Sequence, residues 1–337
     1  MASLAEMSRA QSAVVLQAIA CLAHLCHFAS MTSRRYLLRA GLAAGAALVL
    51  RTPSRAADPP MDQPLITKAI PSTGEKLPAI GLGTDQFRSS ERDAIQAEIQ
   101  RMQQMGGTVI DTAAAYGDSE ALIGAALNSL GIRDRMFLAT KLTVNEAGTS
   151  TRSGEESFAR SLRLLQTPRV DLLQVHNLEG VEALMPVMRK WKKEGKIRYI
   201  GITTSRVGQH THMMEYMRQY PLDFVQVDYS LANREAATKL LPLARERRIG
   251  VLANIPFGFG SVLRQAQMRK LPDWAADIDV TSWSQFLLKY VISHPAVTCC
   301  IPGSTRIEHL EENQRAGRGR LPDEVMRKKM EEVWDAG

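Results

Sequence analysis

Asp111 precedes Tyr116 by five residues in Val109-Ile110-Asp111-Thr112-Ala113-Ala114-Ala115-Tyr116-Gly117, where an apolar run ends in a carboxylate and a short loop then presents a phenol. Two later apolar runs end in the same way: Phe137 to Lys141 delivers an amine, and Asp171 to His176 delivers an imidazole. A phenol titrates near pH 10, so proton donation near neutrality asks for a cation close enough to stabilise its anion. Taken singly, each residue has an ordinary structural role available: a helix cap for Asp111, a solvated strand end for Lys141, loop packing for Tyr116, a satisfied core histidine for His176. Four such roles falling on three successive strand ends is a less economical account than one acid–base site. These side chains can move protons but cannot supply a hydride.

Something must bring three strand ends to one place. After a Gly-containing hairpin signal, Ile66 to Ile70 and Glu75 to Leu77 around Ser72-Thr73-Gly74, the pattern alternates between strand and helix. Strands are expected near Ile80 to Gly83 and at Thr108 to Thr112, Met136 to Lys141, Asp171 to His176, Arg198 to Thr203, Phe224 to Tyr229, Val251 to Ile255 and Thr298 to Ile301. The intervening helices start at Glu91, Ser119 and Gly154, span Val181 to Lys193, end near Tyr220, and span Arg234 to Arg247 and Thr281 to Ser293. Gly106-Gly107, Gly195 and Gly250 each stop a helix just before a strand. Eight strand–helix units predict an α/β fold, a closed (β/α)8 TIM barrel with an N-terminal β-hairpin, whose strand ends converge on one mouth. A doubly wound sheet is excluded because Gly81-Leu82-Gly83-Thr84-Asp85-Gln86 lacks the third glycine of a dinucleotide turn.

The Asp-Thr-Ala-x-x-Tyr-Gly-x-Ser-Glu segment from Asp111 to Glu120 resembles the aldo-keto reductase superfamily. So do the strand-end Lys141, the Leu-x-x-His strand and the late Ile301-Pro302-Gly303 to Glu312-Asn313 stretch, and the matches run from Leu77 to Asn313. The resemblance implies Tyr116 as general acid, Lys141 as the cation that tunes it, Asp111 as the partner of Lys141, and His176 as the group that orients a carbonyl. It also implies a nicotinamide cofactor in the barrel mouth. Gln226 matches the carboxamide-binding glutamine of that family, and Thr203 and Thr204 stand where many members have Ser-Asn. The Pro256-Phe257-Gly258 turn keeps the family's shape, but Asn254 stands where many members stack an aromatic ring on the nicotinamide. Phe257 is available as a substitute ring or as core.

Gly303, Ser304, Arg306 and Asn313 match the segment that holds the adenosine phosphate and adenine. Backbone N–H groups at a helix start favour an anion there, and Arg306 is expected to clamp a 2′-phosphate, which favours NADP (NADPH) over NAD. Some members have lysine at the position of Gly303 and arginine at that of His309. The implied activity is reduction of an aldehyde or ketone, or oxidation of the alcohol. The alternative is a nicotinamide-binding regulatory or redox-sensing protein with little turnover. Phe87, the Val144 to Ser150 loop and the Phe259 to Ile278 segment are the candidate substrate loops, while the reaction's direction and the oligomeric state are left open by the sequence.

The formal charge of +7 over 337 residues raises the question of a nucleic-acid partner, but it is concentrated at the start. Arg9, Arg34, Arg35, Arg39, Arg51 and Arg55 against Glu6 give +5 in the first 56 residues, leaving +2 for the remainder. No basic stripe with interleaved aromatics is left, so no nucleic-acid partner is expected. Of the four cysteines, Cys21 and Cys26 fall in this leader, and Cys299 and Cys300 are adjacent on one strand and expected on opposite faces as core. His210 and His212 also aim to different faces of a helix, as solvated polar residues, and no metal is expected.

Residues 1–57 are thus read as a leader and 58–337 as the barrel. Arg34-Arg35, the apolar Ala40 to Leu50 and the small residues Ser54 and Ala56 have the order of a twin-arginine (Tat) signal at 31–56. Its apolar run is shorter than the roughly 20 residues a span requires, so no stable membrane span is expected after cleavage. The location expected is periplasmic, or cytoplasmic if the leader is not functional. Met31 sits where such a signal starts, which points to translation from Met31 and leaves 1–30 as an untranslated extension.

Overall fold

A computed structural model of the chain describes residues 63–144 and 150–337; the leader reading and most of the Val144 to Ser150 loop lie outside them. Two short antiparallel strands, β1 (Thr67–Ala69) and β2 (Lys76–Pro78), form the expected hairpin, turned by Gly74 at φ +80°. Eight parallel strands follow: β3 (Leu82–Gly83), β4 (Val109–Asp111), β5 (Phe137–Leu142), β6 (Val170–Val175), β7 (Ile197–Thr203), β8 (Phe224–Asp228), β9 (Gly250–Asn254) and β10 (Cys299–Cys300). They pair in chain order from β3 to β10. The ring closes through parallel bridges from Ile80 to Cys300 and from Gly83 to Gly303, with Gly83 N donating to Pro302 O at 3.0 Å.

Period-2 alternation decides what each strand end can do, because successive side chains point in and out of the barrel. Inward positions begin apolar: Val109, Phe137, Ala139, Leu172, Tyr199, Phe224, Leu252 and Cys299 form one interior cluster, plugged below by Ile70 and Leu77 of the hairpin. Two residues further along the same strands the inward positions become Asp111, Lys141, Gln174, Gln226 and Asn254. The barrel is therefore a packed apolar cylinder with a polar top. Outward residues such as Ile110, Leu138, Leu173, Val225 and Val251 join the second, larger core beneath the helices. Cys299 and Cys300 fall in different clusters, both buried and free.

The helices are α1 (Arg92–Gln104), α2 (Ser119–Leu130), α3 (Thr151–Leu164), α4 (Val181–Lys193), α5 (His210–Gln219), α6 (Glu235–Thr238), α7 (Leu240–Glu246), α8 (Ser261–Gln267), α9 (Trp283–Ser293), α10 (Ile307–Ala316) and α11 (Glu324–Asp335). In α4 the buried residues Val181, Leu184, Met185, Met188 and Trp191 recur at helical spacing, which gives one face to the barrel. α3 begins at Thr151, three residues before its expected start, because Ser150 and Ser153 form a reciprocal capping box.

Two departures from the sequence pattern have physical causes. The helix expected over Arg234 to Arg247 is two pieces broken at Lys239 (φ −139°), since Pro242 has no N–H to return to the Thr238 carbonyl. Gly250 does not stop that helix: Arg248 takes the left-handed φ of +55°, and Gly250 is the first residue of β9, where a Cβ would meet the Phe224 ring at 2.7 Å. The segment Phe259 to Ile278 carries α8 and a 3-10 turn over Asp273–Ile278, and α11 extends the chain beyond the expected pattern. Among the described residues, no helix is long and apolar enough to cross a membrane.

Candidate active site

Lys141 on β5 is buried, and its ammonium donates to Asp111 Oδ2 at 2.6 Å and to the Thr112 carbonyl at 2.8 Å. Burial works against the charge on Lys141, but the Asp111 carboxylate and the Tyr116 phenol outweigh it, and the net direction is up. Burial also pushes the Asp111 carboxyl up, opposed by Lys141, Gln226 and Gln174. Gln226 Nε2 lies 3.3 Å from Oδ2 and Gln174 Nε2 lies 3.4 Å from Oδ1. Since these neighbours are donors, we assign the pair as carboxylate and ammonium.

Tyr116 lies in the loop after β4, with the Lys141 ammonium 4.8 Å from its ring centroid. The loop is fixed beneath it by three hydroxyls. Ser119 bonds Thr84 at 2.8 Å and Thr112 at 3.0 Å, and Thr84 donates to the Asp111 carbonyl at 3.0 Å. The net shift of the phenol is upward, which differs from the lowering expected from a nearby cation alone: burial dominates, and Lys141 opposes it against a contribution from Asp111. Tyr116 is thus held protonated at neutral pH, as a loaded acid.

His176 meets the Tyr116 ring edge-on at 5.9 Å between centroids. Its Nδ1 is 3.5 Å from Thr143 Oγ1, which leaves Nε2 as the nitrogen without a protein partner among the described residues. Burial, with the Lys141 charge adding to it, pushes the imidazole down to about 4, so the ring is neutral above that pH.

Asp111, Tyr116, Lys141 and His176 open into one cavity of about 750 Å³. Its wall also carries Thr203, Gln226, Pro256, Phe257, Gly303, Ser304 and Asn313 from the expected cofactor set. Phe257 packs in part against the outer core as well. Three expected residues lie elsewhere. Thr204 is fully buried, with its hydroxyl on Gln209. Gly258 turns the loop at φ +56° behind the wall. Arg306 is exposed, its Nε 3.6 Å from Glu308. Besides Lys141 and His176, the basic side chains on the wall are Arg206 and His309.

Gln174 was not anticipated, although it lies two residues before His176 and therefore faces inward. It donates to Gln226 Oε1 at 2.8 Å across β7. Gly201 of β7 makes room, since a Cβ there would sit 3.0 Å from the Gln174 chain. His210, expected to be solvated, is buried with Nε2 2.9 Å from Asp228 Oδ1, whereas His212 bonds Glu215 and Tyr216. Among the described residues no group of three or more His, Cys, Asp or Glu is disposed to hold a metal ion.

The model of the Aldo/keto reductase family matches residues 79–335, from the first barrel strand through α11. The chain belongs to the aldo/keto reductase family. It is 33% identical over 214 residues to aldo-keto reductase YhdN of Bacillus subtilis (strain 168), a match covering 58% of this chain and 62% of that protein. It is 26% identical to L-galactose dehydrogenase of Arabidopsis thaliana over 74% of this chain and 87% of that one. Among solved structures, an aldo/keto reductase from Klebsiella pneumoniae in complex with NADP and acetate superposes with a TM-score of 0.67 at 28% identity, covering 77% of this chain and 93% of that one.

Beside the Ser304 segment of this aldo/keto reductase lies Glu98 of α1, 1% exposed. Neither carboxyl oxygen completes a hydrogen bond among the described residues. Burial pushes it up to about 7, with Glu91 adding to the push; Ser304 lies near enough to relieve it in part, but its hydroxyl donates to the Arg306 carbonyl at 3.0 Å. The folded state then holds this proton at pH values where the unfolded chain has lost it, so stability falls as pH rises from the ordinary glutamate range through about 7. The shift is worth about 3 kcal/mol. Glu98→Gln is expected to remove that slope and to be more stable than wild type at pH 8 by about 1–3 kcal/mol, measured by urea unfolding at pH 5 and pH 8. Equal pH slopes in the two proteins would show that Glu98 does not titrate there.

Proposed function

We propose that this protein is an NADP(H)-dependent carbonyl oxidoreductase, reducing an aldehyde or ketone or oxidising the corresponding alcohol. The observation that carries the reading is the contact chain Asp111–Lys141–Tyr116–His176, buried at its base and open to a cavity at its top. The Klebsiella pneumoniae relatives bound to NADP and to NADPH support the choice of cofactor.

The residues present fit such a cofactor. Thr203 and Asn254 end their strands and Gln226 stands mid-strand on β8, all on the wall facing Tyr116, and Asn254 Oδ1 is a buried acceptor with no partner among the described residues. Gly303 to Thr305 lead into α10, whose first N–H groups favour a phosphate. When bound, the nicotinamide supplies or accepts the hydride.

The chain's own residues manage the proton. The substrate oxygen is placed between the Tyr116 hydroxyl and His176 Nε2, and the phenol gives its proton to that oxygen as negative charge develops. Lys141 stabilises the phenolate left behind, and Asp111 keeps Lys141 charged and in place. His176, neutral above about pH 4, orients the oxygen without competing for the proton. A regulatory protein with little turnover is less well supported, because the whole proton-handling set is present and connected. Purified protein is expected to consume NADPH faster than NADH with a panel of aldehydes and ketones. Tight nucleotide binding with negligible turnover across the panel would count against the enzyme reading.

Residues 31–56 are proposed as a Tat signal that delivers the folded barrel to the periplasm. Arg34 and Arg35 are the pair on which this rests. Replacing both with lysine keeps the charge but is expected to retain the protein in the cytoplasm with its leader uncleaved, as read by fractionation and mass. Export of the double mutant at the wild-type level would remove the twin-arginine reading.

A further inference from the structure

We propose that Asn254 fixes the orientation of the nicotinamide ring by accepting a hydrogen bond from its carboxamide NH2, a role that rests on the nicotinamide reading above. Asn254 is the last residue of β9 and points inward by the strand's alternation. Its Nδ2 donates to the Thr204 carbonyl at 3.2 Å. That carbonyl is itself held, because the Thr204 hydroxyl bonds Gln209 and accepts from Arg206 N at 3.1 Å. A flipped amide would set oxygen against oxygen, so the donor side of Asn254 is assigned to Thr204 and its oxygen is committed to the opposite direction.

Asn254 Oδ1 is buried and has no partner among the described residues, while the residue lines the catalytic cavity. An amide oxygen left so is unfavourable unless a ligand completes it. The atom can only accept, so the ligand must bring an N–H or O–H donor.

The topology says which donor. In the ring of strands β8 stands opposite β4, so Asn254 on β9, with Thr203 and Gln226, forms the wall facing Tyr116. A nicotinamide held on that facing wall by Thr203, Gln226 and Asn254 would supply its hydride toward a carbonyl held by Tyr116 and His176. Gln226 would be the other amide available there, but its oxygen accepts from Gln174 at 2.8 Å and its nitrogen lies 3.3 Å from Asp111. Its acceptor already has a protein donor, and that of Asn254 has none among the described residues.

The test is binding of NADP+ and of its 3-acetylpyridine analogue, in which a methyl group replaces the carboxamide NH2. Titration calorimetry on wild type and Asn254→Ala, without substrate, separates the cases. Wild type is expected to bind NADP+ about tenfold more tightly than the analogue, and Asn254→Ala to lose that preference by weakening NADP+ alone. Unchanged analogue affinity doubles as the control that the variant is folded with its site intact. If both nucleotides weaken equally, Asn254 acts only as a support for the Thr204 loop and the proposal fails. It fails too if neither weakens. A wild type that binds neither nucleotide would instead overturn the cofactor reading on which the inference rests.

Discussion

Tyr116→Phe is expected to lower kcat for carbonyl reduction by at least about 100-fold while leaving the Kd for NADPH within about twofold. The substitution removes one hydroxyl and little else. The ring keeps its place over the Lys141 ammonium and its edge contact with His176, and the Thr84–Ser119–Thr112 hydroxyl cluster beneath the loop is untouched. Burial raises the phenol above its ordinary value, so the wild-type acid is protonated throughout the neutral range. The variant's deficit should therefore be nearly constant with pH there. It should not be recovered through His176, which is neutral above about pH 4 and has no proton of matching acidity to offer. Stopped-flow turnover together with nucleotide titration checks both halves, and near-normal kcat would remove Tyr116 from the role of acid.

The barrel was legible because its signal is repetitive. Eight apolar runs separated by amphipathic ones leave few alternatives, and the polar residue closing several runs marks the end where side chains meet. Strand ends moved by only a residue or two, which does not change which residues face inward. The helix over Arg234 to Arg247 was misread because periodicity there continues across Lys239, while the break comes from a single missing N–H at Pro242.

Within the site, the residues that resist reading are those that act through others. Gln174 carries no motif, and its reach to Gln226 depends on the absence of a side chain at Gly201, on the strand between the two glutamines. Thr204 and Arg306 carry the family match but lie off the cavity wall. Adjacent residues on an extended segment alternate faces, so Thr203 opens to the cavity while Thr204 turns to Gln209, and exposure lets Arg306 settle beside Glu308. Arg206 was invisible for the converse reason: it lies in a loop, where sequence spacing does not determine direction.

Lys141→Met is expected to reduce kcat by about 1,000-fold or more, and Asp111→Asn by about 100-fold, with the double variant losing far less than the product of the two. The reason is that the residues form one unit. Lys141 stabilises the phenolate, and Asp111 acts only by keeping that ammonium charged and in register, so once the ammonium is gone its partner has nothing left to do. Stability gives a second reading that does not depend on turnover. Lys141→Met strands a buried carboxylate beside two weak amide donors, which should cost about 3–5 kcal/mol at neutral pH. That cost should shrink in acid: burial raises the Asp111 carboxyl, so the folded variant binds a proton that the unfolded chain has released, and stability falls as pH rises through that titration. Adding Asp111→Asn removes the stranded charge and should restore part of the loss, making the double variant more stable than Lys141→Met alone. Urea unfolding of the four proteins at pH 5 and pH 8 reads this directly. Simple addition of the two single costs, with no pH-dependent rescue, would show that the carboxylate and ammonium contribute independently despite their 2.6 Å contact.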